Sequence, residues 1–165
     1  MVRRLSLILA LGVALTLSAC GPSQKQTRSL EAANAFMAAN AKQAGVVTLP
    51  DGLQYKVVRS GPPEGARPAP IDEVTVNYEG KLLDGTVFDS SYARNQPETF
   101  LLRGLVPAWQ EALVLMRPGD EWTLYVPPSL GYGAEDKGPI QGNSVMIFRI
   151  ELLSTQPSKI RAPKG

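Results

Sequence analysis

The sequence predicts an α+β domain, an antiparallel β-sheet wrapped on one short α-helix and preceded by a short N-terminal helical arm. Three observations carry this. Strand-like runs alternate at a period of two, most clearly where Val74, Val76 and Tyr78 interleave with Thr75, Asn77 and Glu79. One stretch among them has helical spacing, with Trp109, Ala112, Leu113 and Met116 forming an apolar face that must lie on the sheet. The order along the chain is strands, one helix, then more strands, without an internal repeat. With 165 residues, 44% of them hydrophobic, the chain can bury one core of ordinary size. Its 15 glycines and 14 prolines are too few for low-complexity disorder and read as turn punctuation.

Residues 1–19 have the form of an export signal: Arg3 and Arg4, then an apolar run from Leu5 to about Leu17. The run is short for a membrane-spanning helix, which needs ~20 apolar residues. Leu17-Ser18-Ala19-Cys20 resembles a bacterial lipobox, in which Cys20 receives lipid after cleavage of the signal. Cys20 is the only cysteine, so no internal disulfide can form. The competing readings are an ordinary cleaved signal with a chance cysteine, or an uncleaved anchor. Two or more acyl chains hold a protein stably on a bilayer. Gly21, which is not acidic, points to the outer rather than the inner membrane and hence to a lipid-anchored periplasmic domain. Loss of Arg3 and Arg4 from 17 basic residues against 15 acidic ones leaves a neutral mature chain. Charge therefore gives no support to a nucleic-acid role.

Residues 20–28 read as a polar tether. Residues 29–45 read as the helical arm, Ala-rich and without proline, with Ser29 as a candidate cap and Gly45 as its end. Its apolar stripe is narrow, which favours packing within its own monomer over pairing with a second copy. The main domain spans residues 46–154. Leu53, Tyr55 and Val57 alternate as a strand behind a Pro-Asp-Gly turn, and a proline-rich loop leads to the central strand from Asp72 to Leu82. Asp84-Gly85 supplies a hairpin turn. Phe88 to Glu98 reads as an irregular loop and Thr99 to Leu102 as a short edge strand. Pro107 opens the helix, where its missing N–H costs nothing. A strand from Glu121 to Pro127, a long loop from Pro128 to Asn143 and a last strand from Val145 to Leu153 follow. Residues 155–165 form a basic, proline-containing tail expected to be disordered.

Absences narrow the chemistry. There is no histidine, and no cysteine besides Cys20, which excludes His-dependent triads, Cys nucleophiles and His or thiolate metal sites. No P-loop or GxGxxG follows a strand. The adjacent carboxylates Asp120-Glu121 and Glu135-Asp136 read as solvated turn charge rather than an acid–base pair. A reaction needing neither proton transfer nor cofactor remains, or no reaction at all.

VTVNYEG with Tyr78, FDSS with Phe88 and Asp89, ARN with Arg94, LVPAW with Leu105, Val106 and Trp109, GYGAED with Tyr132, then Ile140 and Phe148, stand in the order of one known family. Together, from about Val46 to Leu153, the chain resembles the FKBP-type peptidyl-prolyl cis-trans isomerases, with a lead-in similar to the Mip-like members. The resemblance implies Tyr78 and Phe88 as pocket walls and Asp89 as a polar edge residue supported by Arg94. It also implies Leu105 and Val106 as rim, with the Val106 N–H facing the ligand, and Trp109 as floor. The Tyr132 hydroxyl would reach the substrate carbonyl, and Ile140 and Phe148 would close the cup. Mip-like relatives place helical arms before this domain and pair through them, which makes a homodimer through residues 29–45 a less favoured possibility.

On that resemblance Asp89, Tyr132 and Phe88 would act in the chemistry and the others would bind substrate. The reaction would be rotation about X-Pro bonds of exported proteins, with no metal and no cofactor. Its barrier of ~18–20 kcal/mol comes from amide resonance, which is lost on twisting. An apolar, water-poor pocket that holds the twisted amide lowers it without a nucleophile. From spacing alone Trp109 and Phe148 read as core, Tyr78 and Tyr132 as buried tyrosines with satisfied hydroxyls, and Asp89 with Arg94 as a structural ion pair. Three residues depart from the family pattern: Glu98 at an apolar or aromatic rim position, Ala108 for the glycine before the tryptophan, and Gln141 for the proline after the loop isoleucine. The first bears on the residue preferred before proline and on macrolide binding. The rival reading is an envelope chaperone or assembly module using the same pocket with little isomerase activity.

Overall fold

The computed structural model describes residues 24–158. The proposed signal, Cys20 and the end of the basic tail lie outside them. The chain runs through helix α1 (Gln24–Asn40), strands β1 (Val46–Thr48), β2 (Gln54–Arg59), β3 (Glu73–Leu82), β4 (Val87–Ser90) and β5 (Glu98–Leu101), helix α2 (Pro107–Leu113), and strands β6 (Glu121–Val126) and β7 (Met146–Gln156). All strand pairs are antiparallel, in the order β1-β2-β6-β7-β3-β4, with β5 also paired to β3. The expected α+β class is therefore observed.

β3 is the frame of the molecule. One edge pairs with β7 along its length, from Glu73 opposite Gln156 to Leu82 opposite Met146. The other edge is divided: Val74 and Val76 face β5, and Glu79 to Lys81 face β4. The hairpin at Asp84-Gly85 closes as expected. Gly85 has φ +88°, and Leu82 N–H donates to the Thr86 carbonyl at 2.9 Å. Val74 and Val76 are fully buried and Tyr78 nearly so, in one cluster with Leu124 and Val126 of β6 and Met146, Phe148, Ile150 and Leu152 of β7. Helix α2 covers this face through Trp109, Ala112 and Leu113, with Pro107 in its first turn. Met116, expected on the same helix, lies beyond its end but is fully buried.

Several boundaries differ from the sequence reading. The arm begins at Gln24, inside the expected tether, because QKQTR contains no helix breaker. Ser29 is then an interior residue, and its hydroxyl donates to the Gly142 carbonyl at 3.0 Å instead of capping the helix. The helix stops at Asn40, and Gly45, at φ +79°, follows a further turn rather than ending it. Leu53, just before β2, is buried and Tyr55 packs on the core as expected, but Val57 is exposed, where the register with β6 shifts. Phe88–Ser90, expected as the start of a loop, belongs to strand β4, since Gly80 and Glu79 of β3 offer pairing to Asp89 and Ser90. β7 continues through Gln156, into the segment read as disordered tail.

The arm docks on the sheet face opposite α2. Ala33 and Met37 pack on Val145, and Phe36 meets Tyr125, which alternates with the core residues Leu124 and Val126. A buried polar contact fixes the register. Gln54 Nε2 donates to the Met37 carbonyl, and Asn40 Nδ2 donates to Gln54 Oε1, each at 2.9 Å. Gln54→Ala leaves the Asn40 side-chain amide without this partner and the Met37 carbonyl with only the Ala41 N–H, which costs about 1–3 kcal/mol. Hydrogen exchange should then show faster exchange across Gln24–Asn40 with β3 and β7 unchanged; uniform protection would show that packing alone holds the arm.

Candidate functional site

Between α2 and the sheet lies a cavity of about 460 Å³, a size typical of small-ligand sites. Trp109, on the first turn of α2, makes its floor and is 4% exposed. Three rings stand edge-on to it: Tyr78 from β3 at 5.2 Å between centroids, Phe148 from β7 at 5.3 Å and Phe100 from β5 at 6.1 Å. Phe88 from β4 meets Phe148 at 5.6 Å, with the planes at 85°. Edge-to-face packing of this kind places the positive ring edge on the negative ring face and fixes each wall. Leu105 and Val106 form the rim before α2, while Tyr132 and Ile140 reach in from the loop between β6 and β7.

The polar edge is Asp89. Tyr78 Oη donates to Asp89 Oδ2 at 2.5 Å, and Arg94 Nη1 donates to Oδ1 at 2.6 Å. Arg94 Nη2 also donates to Tyr78 Oη at 3.1 Å and to Glu98 Oε1. Partial burial alone would raise the pKa of Asp89, but the Tyr78 hydroxyl and the Arg94 guanidinium hold its carboxyl below the ordinary value of 3.8. Burial, then the bond to Asp89, push the Tyr78 phenol up to about 12. Its carboxylate partners hold Arg94 firmly in the charged form.

The nine residues expected in the cup, Tyr78, Phe88, Asp89, Leu105, Val106, Trp109, Tyr132, Ile140 and Phe148, all line the cavity, and Arg94 stands behind Asp89. Tyr132, whose hydroxyl is expected to face substrate, is 40% exposed at the rim. Phe100, Gly104 and Pro139 also line the cavity and are not among the expected residues. Phe100 was legible as the inward position of a short edge strand, two residues from Glu98.

Gly80 matters for a different reason. A β-carbon there would lie 2.6 Å from the Phe88 ring and 2.8 Å from Phe148, so only glycine lets the two rings meet across β3. Asp120 and Glu121, expected as solvated charge, are instead buried. Asp120 accepts from the N–H groups of Gly61 and Arg117, and Glu121 from Arg149 Nε at 2.6 Å. They brace the turn before β6, away from the cup. The second pair is also tied down in part, since Asp136 Oδ1 accepts from the Gly142 N–H at 2.8 Å.

An antiparallel sheet wrapped on one short helix, with an aromatic cup between the two, defines the FKBP-like class of α+β domain. Comparison with known proteins agrees. Residues 65–153 match the model of the FKBP-type peptidyl-prolyl cis-trans isomerase, and residues 18–57 match the domain amino-terminal to it. The chain belongs to the FKBP-type peptidyl-prolyl cis-trans isomerase family. It is 51% identical over 127 residues to the peptidyl-prolyl cis-trans isomerase Mip of Coxiella burnetii, covering 76% of this chain and 54% of that protein. It is 46% identical over 124 residues to the outer membrane protein MIP of Legionella longbeachae, covering 74% of this chain and 52% of that one. The crystal structure of FkpA from Escherichia coli superposes with a TM-score of 0.76 at 37% identity, over 81% of this chain and 62% of that one. The chain thus spans about half the length of these curated relatives.

Two predictions follow from the geometry of the cup. Gly80→Ala should lower stability by about 1–3 kcal/mol in urea titrations and weaken proline-peptide binding, because overpacking displaces Phe88 or Phe148. Unchanged stability and binding would mean that the rings are not fixed against β3. The second concerns pH. Asp89 is depressed and Tyr78 raised, so neither changes charge between about pH 5 and 10. The stabilisation Asp89 gives is complete above its unfolded-state value and is lost only as pH falls through its lowered folded-state value. Peptide binding should therefore be flat from about pH 5 to 9; a limb centred near neutrality would place another titrating group in the cup.

Proposed function

We propose that this chain is a peptidyl-prolyl cis-trans isomerase that assists the folding of exported proteins in the bacterial cell envelope. The observation that carries the reading is an aromatic cup with room for a prolyl ring, whose single edge carboxylate, Asp89, is fixed by Tyr78 and Arg94. A prolyl ring of the substrate enters between Phe88, Phe148 and Tyr78 and rests on Trp109. The Val106 N–H, just before α2 and preceding a proline that has no N–H, is a donor for a substrate carbonyl on the far side of the ring. Tyr132, with its hydroxyl at the rim, donates to the carbonyl of the residue before proline as that bond turns.

The catalysis is differential binding. Planar X-Pro amides are stabilised by resonance and by water on their carbonyl, and the cup removes the water while its donors meet the rotated carbonyl. Asp89 supplies a fixed negative charge beside the twisting bond, complementary to the positive end of the rotated amide dipole. No proton moves and no covalent bond forms, consistent with a cup in which Asp89 is held below its ordinary range and Tyr78 above it.

The setting follows from the segment before the domain. Export through residues 1–19 and acylation of Cys20 would hold the domain on the periplasmic face of a membrane, the outer one in preference to the inner. The name of the Legionella longbeachae relative, an outer membrane protein, supports that reading. Among the described residues no helix is long and apolar enough to cross a membrane.

The test is a coupled proline-isomerisation assay on residues 21–165, with Asp89→Val and Phe88→Ala alongside and circular dichroism to show that both variants fold. The wild type should accelerate isomerisation, and each substitution should lower kcat/KM by about a hundredfold. A folded wild type that accelerates none of several X-Pro peptides would refute the enzyme reading in favour of a binding module that uses the same cup.

A further inference from the structure

A second cleft, of about 340 Å³, opens beside the cup. Its walls are the arm (Ser29, Ala32), the tip of the β3–β4 hairpin (Leu83, Asp84) and the loop before β7 (Gln141, Ser144). Pro139 lines both cavities. Three consecutive residues thus separate them: Ile140 faces the cup, Gln141 the cleft, and Pro139 the two together. This ridge is stiff, because Lys137 and Ile140 exchange backbone hydrogen bonds at 2.7 and 2.9 Å across a turn in which Gly138 has φ +55°.

The cleft exists because the arm is docked. Ser29 Oγ holds the Gly142 carbonyl, Ala33 and Met37 pack on Val145, and Gln54 ties down the end of α1. Gly142 is pinned from both sides, with its N–H given to Asp136 Oδ1, and a β-carbon there would lie 2.1 Å from the Ala134 carbonyl oxygen. The walls are therefore fixed rather than a gap between two loose segments. Hydrogen-bonding side chains make up half of the lining, and its one ionisable group is the Asp84 carboxylate, with no lysine or arginine in the lining to balance it. The Thr86 N–H donates to Asp84 Oδ1 at 2.9 Å and helps hold that carboxyl below its ordinary range.

We propose that this cleft takes the flank of the polypeptide whose proline sits in the cup, an extended segment that crosses the Pro139 ridge and sets a basic side chain against Asp84. Continuity with the cup identifies the occupant, since a chain leaving the cup over Pro139 enters the cleft directly. The single uncompensated carboxylate sets the charge preference. The arm is then part of the substrate site, and selectivity among X-Pro segments is read at a distance from the proline. The inference rests on the isomerase reading of the cup.

The experiment compares a short X-Pro peptide that fills only the cup with longer peptides carrying lysine or glutamate in either flank. Binding to the full chain is read by fluorescence polarisation, and turnover by the isomerisation assay. Two variants are used, Ala32→Trp on an exposed face of the arm, to fill the cleft, and Asp84→Lys, to reverse its charge; neither residue touches the cup. The long lysine peptide should bind about tenfold tighter than the short one, and Ala32→Trp should erase that margin while short-peptide turnover stays unchanged. Asp84→Lys should turn a lysine preference of about threefold into a glutamate preference of similar size. A long-peptide advantage that survives both variants overturns the proposal, as does sedimentation showing that Ala32→Trp acts by disrupting a dimer seated in the cleft. If no peptide is isomerised the enzyme reading fails, whereas the polarisation arms still decide whether the cleft binds the flank.

Discussion

The structure depends on where one indole ring sits. Trp109 is delivered by the first turn of a seven-residue helix and meets rings from β3, β5 and β7 at once. Its burial makes it part of the core, and its upper surface is the floor of the cup. The ring thus belongs to the core and to the cavity lining at once. The ring also carries a cost: its buried N–H has no partner among the described residues, worth about 1–3 kcal/mol. Contact with three aromatic neighbours, at about 0.5–1.5 kcal/mol each beyond the area buried, offsets it. A site built this way cannot be loosened without loosening the core, which keeps the cup shaped when empty.

The electrostatics of the rim follow the same economy of parts. Arg94 donates to Asp89, to the Tyr78 hydroxyl and to Glu98, so one guanidinium orders three oxygens contributed by β3, β4 and β5. Glu98 departs from the apolar rim of the family, and its place in this network accounts for it. It adds a second carboxylate to the guanidinium that braces Asp89, and it does so one step back from the cavity lining. Phe100, the next inward residue of β5, lines the cavity that Glu98 does not. Ala108 is accommodated just as simply, fully buried on the face of α2 that meets the core.

Much of this was legible in the sequence, for local reasons. Period-two alternation placed β3 and β7 and helical spacing with Pro107 placed α2, whereas the cup was implied by the family resemblance that the ordered set from Tyr78 to Phe148 carries. The parts that were not legible depend on partners distant along the chain. Phe88 and Asp89 read as loop because four residues carry too little periodicity, and only pairing with Gly80 and Glu79 makes them a strand. Gln54 reads as an outward strand residue, and its burial makes sense only against Met37 and Asn40 of the arm. Asp120 and Glu121 read as solvated because turns usually are; their bonds to Gly61, Arg117 and Arg149 are tertiary. Phe100 was visible as a strand position, but nothing local says that β5 folds beside the cup rather than at a free edge.

The arm shows how this division between local and tertiary information bears on function. As an isolated helix it has a narrow apolar stripe and little reason to be stable. Docked, it is held by two buried apolar residues, by Gln54 and by the Ser29 hydroxyl on Gly142, and that last bond reaches the loop carrying Tyr132 and Ile140. Backbone bonds continue the path, since Asn143 N–H donates to the Gly133 carbonyl at 2.7 Å and Gly133 N–H to that of Pro128. A loop of this length would otherwise sample many conformations, and its two cup residues would close on a ligand only at an entropic cost. By fixing the base of the loop, the arm lowers that cost before any ligand enters, so a segment lying outside the cup contributes to the readiness of the cup itself.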